Sequence, residues 1–232
     1  MIETAEFDRL THHIQTFCQA IPDYVRIVAV TKQVSVEAMR AAYAAGVRDF
    51  GENRVQEAET KQEQLKDLKD VNWHLIGHLQ SNKAQRAIEL FQWIQSVDSL
   101  KLAQRLDRLA EGCPIKPQIC LQVKLLPDPN KSGWTATDLL ADLPDLSACK
   151  NLNIQGLMVI PPLGLGTDET LDVFTRTRTL AETIRQQNLP HLQLSHLSMG
   201  MSDDYPLAIA AGATMIRPGR VLFGTRKSGT LG

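Results

Sequence analysis

Eight short apolar runs, each separated from the next by a stretch with helical spacing, constrain this chain more than any single residue does. The first, 25–31, is rich in β-branched residues and reads as a strand buried on both faces. A helix over 7–21 precedes it. The helix after it starts from a Ser35 cap, runs through Ala44 and stops at Gly46. Further strands are read at 47–50, 73–76, 93–97, 118–126, 154–160, 193–197 and 214–217. A long helix to about Lys69 mixes Lys with Glu and Asp, as a solvated outer face does. Later helices fall after Lys83 and over 99–110, 137–143, 168–187 and 205–211. This alternation predicts one α/β domain over 1–232, folded as a closed (β/α)8 TIM barrel. An open doubly wound sheet fits less well, because no GxGxxG follows the first strand.

Composition narrows the functional class. Hydrophobic residues make up 43% and charged residues 22%, the balance of a globular protein. A formal net charge of -1 without a basic stripe argues against nucleic acid as a partner. No apolar stretch is long enough for a membrane span, so no membrane partner is expected. Glu3, Glu6, Asp8 and two histidines make the opening residues unlike a signal peptide. Cys18, Cys113, Cys120 and Cys149 form no CxxC or zinc spacing, and they read as reduced thiols of a cytoplasmic protein. With no large apolar patch legible, a monomer is expected.

The chemistry gathers at the C-terminal ends of the strands, which a barrel brings to one mouth. Lys32 ends the first strand, and a desolvated amine there is a candidate Schiff-base nucleophile. Barrel closure sets it beside the loops after strands seven and eight, the usual phosphate site of this architecture. Ser198, Met199 and Gly200 offer a hydroxyl and close-approaching backbone to an anion. Gly219 and Arg220 add amides, whereas Pro218 has none to give. Arg217 ends the last strand and is read as facing the mouth or pairing with a carboxylate. Asn53 and Arg54 either touch a ligand or cap the next helix. His74 and His78 straddle a strand end and a loop with no third ligand, so no metal is expected. Trp134 and Tyr205 read as packing residues.

Several segments carry a resemblance. Ala29-Val30-Thr31-Lys32, Gly51-Glu52-Asn53-Arg54-Val55-Gln56-Glu57, Trp73 through Lys83 and Leu197 through Tyr205 resemble the pyridoxal-phosphate homeostasis protein family. Gly156-Leu157-Met158 and Phe223-Gly224-Thr225 match as well. Members of that family are similar in fold to the barrel domain of bacterial alanine racemase and eukaryotic ornithine decarboxylase. The resemblance implies that Lys32 holds pyridoxal 5′-phosphate (PLP) as a Schiff base. It also assigns phosphate to Ser198, Met199 and Gly200 and to the amides of Gly219 and Arg220. Arg217 would face the pyridine nitrogen, and Asn53 would line the cofactor. Two positions depart from the family pattern: Lys124 stands where asparagine is usual, and Pro218 where an aliphatic residue is usual.

Binder and enzyme then separate on physical grounds. An arginine at the pyridine nitrogen disfavours its protonation, which makes the cofactor a weaker electron sink. The chain ends soon after the last strand, and no tyrosine has a claim to act as an opposite-face base. The expectation is therefore a protein of intracellular PLP (vitamin B6) homeostasis that affects amino-acid and keto-acid balance without turnover. PLP, PLP-requiring apoenzymes and amino acids are its expected partners. The alternatives are a PLP-dependent amino-acid racemase and, from another class, a Schiff-base aldolase acting on a phosphorylated sugar.

Overall fold

A lysine-terminated apolar run does form the first stave of a barrel. The structure, a computed structural model, describes residues 3–128 and 131–224. Its strands are β1 (Arg26–Val30), β2 (Asp49–Glu52), β3 (Asn72–Leu75), β4 (Trp93–Val97), β5 (Gln118–Val123), β6 (Asn153–Val159), β7 (Leu192–Ser198) and β8 (Met215–Ile216). They pair in parallel in chain order, and β8 returns to β1 to close the barrel. Around them run α1 (Thr4–Gln19), α2 (Val36–Ala44), α3 (Val55–Gln64), α4 (Ala84–Leu90), α5 (Leu100–Ala110), α6 (Ala136–Ser147), α7 (Thr167–Arg185), α8 (Tyr205–Ala210) and α9 (Arg220–Phe223). Ser35, Ser99 and Thr135 cap α2, α5 and α6 by accepting backbone N–H bonds through their side chains.

Some boundaries differ from the sequence reading. β2 extends through Glu52, so Gly51 and Glu52 belong to a strand rather than a loop. The charged helix α3 ends at Gln64, not near Lys69. β5 stops at Val123 because the Lys124 N–H donates to the Trp134 carbonyl at 2.8 Å, folding the following loop back. β7 runs one residue further than read, through Ser198. β8 is only two residues long, since the Arg217 N–H turns to the Gly200 carbonyl at 2.8 Å. The short α9 was not anticipated.

Alternate residues of each strand face opposite sides. The outward set, including Phe50, Ile94, Ile119, Leu121 and Leu157, packs under the helices in one continuous apolar cluster. α5 meets it with Leu102, Ala103, Leu106 and Ala110. The inward set is a separate, mixed core. Trp93, Cys120, Met158 and Met215 form its apolar part. His74 stacks on Trp93 with centroids 5.6 Å apart, His196 meets the same ring edge-on at 5.3 Å, and the Arg26 guanidinium lies 5.4 Å above it. Burial pushes the Cys120 thiol up to about 12, so this interior cysteine stays protonated.

Gly156 makes room for β7. A Cβ there would stand 2.1 Å from the His196 carbonyl oxygen. Gly156→Ala is expected to destabilise the barrel by about 3 kcal/mol, since neither strand has room to move. A urea midpoint equal to wild type would contradict this packing.

Burial holds both interior histidines, His74 and His196, below the ordinary 6.5. As pH falls through that value, the unfolded chain takes up protons that the barrel refuses, so unfolding free energy drops. Urea midpoints measured at about pH 7.5 and about pH 5.5 should show this loss, and His74→Asn should lessen it.

Candidate functional site

The period-two alternation that puts Arg26 inside the barrel continues through Val28 and Val30 to Lys32, just past the end of β1. Lys32 is half-buried and lines a cavity of about 320 Å³ at the C-terminal ends of the strands. That size lies at the small end of the range for cofactor sites. Asn53 after β2, Gln122 on β5 and Arg217 after β8 share the cavity with it.

Both chain neighbours of Lys32 are pinned. The Thr31 hydroxyl donates to Glu52 Oε1 at 2.6 Å, and the Thr31 carbonyl accepts from Lys61 Nζ at 2.6 Å. The Gln33 N–H donates to Glu57 Oε1 at 2.6 Å, in the left-handed conformation with φ of 58°. Lys61 Nζ ties the cluster together, reaching Glu52 Oε1 at 2.8 Å and Glu57 Oε1 at 2.7 Å. Glu52 is fully buried, and burial raises its carboxyl above the ordinary range although Lys61 and Thr31 oppose the shift. The sequence placed Lys61 on a solvated helix face; the structure buries it. The i,i+4 spacing of Glu57 and Lys61 was the one available signal.

Arg217 is buried, and burial lowers its guanidinium to about 10. It donates to Ser198 Oγ at 2.7 Å and to the Val159 carbonyl at 2.8 Å. Neither partner is charged; among the described residues no carboxylate hydrogen-bonds to it, and the nearby Asp204 carboxylate favours its charge from a distance.

The loop after β7 departs from the sequence reading. Ser198, Met199 and Gly200 are all buried and do not line the cavity. Ser198 points inward, donating to Gln95 Oε1 at 2.6 Å. Gly200, with φ of 91°, is required by α8, because a Cβ there would lie 2.6 Å from the Ala208 Cβ. The cavity is reached instead by Met201 and Ser202. The Ser202 hydroxyl accepts from the amides of Gly219 at 3.0 Å and Val221 at 3.3 Å, joining the loops after β7 and β8. Gly219 and Arg220 line the cavity as expected, with the Arg220 side chain paired to Asp203.

The remaining candidates sort cleanly. Arg54 is exposed and its side chain does not cap α3. Lys124 lies outside the cavity, and Gln122 supplies the contact from β5. The Pro218 carbonyl accepts the Val30 N–H at 2.8 Å, a role that needs no amide at Pro218. His74 lies inside the barrel while His78 stands at the mouth, its Nδ1 2.9 Å from Asp98. Among the described residues no group of His, Cys, Asp and Glu is arranged to hold a metal. Trp134 and Tyr205 are packing residues, the latter edge-on to Phe17 at 5.3 Å. Thr225, at the end of one matching segment, lies outside the described residues.

Residues 6–227 match the family described as alanine racemase, N-terminal domain. The pyridoxal phosphate homeostasis protein of Synechocystis sp. is 55% identical over 206 residues, covering 89% of this chain and 94% of that protein. This chain belongs to the pyridoxal phosphate homeostasis protein family. A protein of the same name from Pseudomonas aeruginosa is 44% identical over 90% of this chain and 87% of its own length. Neither name is that of an enzyme. The structure of PipY from Synechococcus elongatus with PLP bound superposes with a TM-score of 0.88 at 53% identity, covering 93% of this chain and 100% of that one. Alanine racemase of Clostridium difficile shares the fold at a TM-score of 0.74 and 13% identity, and this chain spans 59% of its length. Among the described residues no helix is long and apolar enough to cross a membrane.

The clamp on Lys32 is testable in isolation. Lys61→Met removes the cation shared by two carboxylates and the Thr31 carbonyl, so Gln33 should lose its anchor. We expect a destabilisation of about 3–5 kcal/mol from the uncompensated buried carboxylate. The Lys61→Met/Glu52→Gln pair should recover much of it, and chemical denaturation of both variants checks the order.

Proposed function

We propose that this barrel binds PLP at its mouth through a Schiff base on Lys32 and holds it for intracellular PLP homeostasis, without catalytic turnover. The observation that carries the reading is one cavity that combines Lys32 with the buried guanidinium of Arg217, whose direct hydrogen-bond partners are uncharged. When bound, PLP supplies an aldehyde that condenses with an amine. The residues present fit it. Lys32 would provide that amine, Arg217 would face the ring nitrogen as a donor, and Asn53 would line the ring. Phosphate would be taken by the Ser202 hydroxyl, as a donor, and by the Arg220 amide, while the Gly219 amide, which donates to Ser202 Oγ at 3.0 Å, orients that hydroxyl. Ser198, Met199 and Gly200 support this set from behind.

Arg217 also supports the non-enzymatic reading. Its positive charge opposes protonation of the ring nitrogen and so limits the electron withdrawal that amino-acid chemistry needs. The names of the relatives agree with a carrier. We extend the proposal to a cytoplasmic monomer that exchanges PLP with amino acids and passes it to PLP-requiring apoenzymes.

Borohydride reduction of the protein loaded with PLP, followed by peptide mapping, should place the label on Lys32. Primary labelling at Lys83 or at Lys131, whose Nζ is held by the Pro161 carbonyl at 2.6 Å, would refute the assignment.

The phosphate assignment makes a separate prediction. Ser202→Ala should weaken PLP binding by about tenfold to a hundredfold, the worth of one charge-assisted hydrogen bond. Binding of pyridoxal, which lacks the phosphate, should hardly change. Equal losses for the two ligands in titrations would show that Ser202 does not recognise phosphate.

A further inference from the structure

Arg217 does not end at Ser198. Behind it, a single file of buried side chains crosses the barrel interior from the mouth toward the opposite end. Arg217 Nη1 donates to Ser198 Oγ at 2.7 Å, and Ser198 Oγ donates to Gln95 Oε1 at 2.6 Å. Gln95 Nε2 lies 2.8 Å from His74 Nδ1, and His74 Nε2 lies 2.8 Å from Asp49 Oδ1. The second amide hydrogen of Gln95 points to the Met215 sulfur at 3.8 Å, and Arg26 closes the file by pairing with Asp49 at 3.2 Å.

Its hydrogen-bond order is forced from both ends. A guanidinium only donates, so Ser198 Oγ must accept from it and send its own proton to Gln95. The Gln95 oxygen is then occupied, and its amide nitrogen must face His74. From the other end, an ionised carboxylate only accepts, so His74 Nε2 carries the proton and Nδ1 accepts. The two arguments meet at Gln95 and agree. A doubly protonated His74 would need an acceptor at Nδ1. Gln95 would have to turn over, and Ser198 would lose the acceptor for its proton.

We propose that Gln95 and His74 are positioning residues for Arg217: through Ser198 they fix which way the arginine that faces the cofactor directs its remaining donors. The inference rests on the reading of Arg217 as the group at the pyridine nitrogen. Neither residue touches the cavity, and both act only through the file. Ser198 is thereby a link in the file and not a phosphate ligand. Neutral links next to Arg217 suit this task, because a carboxylate directly on Arg217 would offset the charge it presents to the ring, whereas Asp49 and Arg26 stand at the far end of the file.

The test uses the full-length protein with PLP and with pyridoxal as probes. Gln95→Leu leaves Ser198 without an acceptor and should weaken both ligands alike, by about tenfold or more. It should also shift the pH at which the visible band of the Lys32 adduct changes, because a loosened arginine no longer holds the ring nitrogen unprotonated. Ser198→Ala should show the same two changes, and the double variant should be no worse than either single one. Gln95→Glu should restore the wild-type band, since a carboxylate accepts from Ser198 and from a protonated His74. Wild-type affinity and band titration in Gln95→Leu, or additive losses in the double variant, would overturn the proposal.

A measurement on the protein without ligand guards against a variant that fails to fold. Nitrogen-15 spectra of wild type at neutral pH should report His74 as the neutral tautomer protonated at Nε2; a proton on Nδ1 would overturn the file. Failure of wild type to bind PLP would instead defeat the functional reading, and the histidine spectrum would still decide the order of the file.

Discussion

The mouth of this barrel depends on a seam of a few hydrogen bonds. β8 contributes only Met215 and Ile216 to its pairing with β1, and the Pro218 carbonyl completes the contact by accepting from Val30. Without that seam Lys32 and Arg217 would sit at the two edges of an open sheet. With it they become neighbours across one cavity, and the loops after β7 and β8 come within reach of the lysine. Because the carbonyl and not the amide does the work at 218, proline is accommodated where most residues of a strand end would need their N–H.

Two buried charges are handled in opposite ways. Lys61 is saturated by two carboxylates and a carbonyl, and it fixes backbone. Arg217 is given only a hydroxyl and a carbonyl. A desolvated cation bonded only to neutral groups is expensive, and here the Asp204 carboxylate supports it only from a distance. The contrast separates a charge saturated by its scaffold from one that lines the cavity with neutral partners.

Much of this was legible in the residues. Strands buried on both faces leave continuous apolar runs, so their number and order could be read, and with them the ends that converge on a mouth. Lys32, Asn53, Arg217, Gly219 and Arg220, which line the cavity, are legible as residues of the mouth because they sit next to such runs. The serine was misplaced for a reason of parity. Reading β7 to stop at Leu197 put Ser198 in the loop, whereas one more strand residue turns its side chain into the barrel and passes the mouth to Ser202. Glu52 escaped in the same way when β2 was ended at Phe50. Lys61 was illegible for another reason: a helix rich in both charges looks the same in sequence whether one of its lysines is solvated or buried.

The seam also joins the two ends of the chain. β1 and β8 are the first and last strands in the chain, so their pairing closes the longest loop between paired strands among the described residues. Neighbouring strands joined by short crossovers carry a smaller entropic cost of closure. A chain still emerging from the ribosome carries Lys32 long before Arg217 exists. Lys32 therefore meets Arg217 across the cavity only when the last stave is in place, and the cavity is a property of the closed barrel alone.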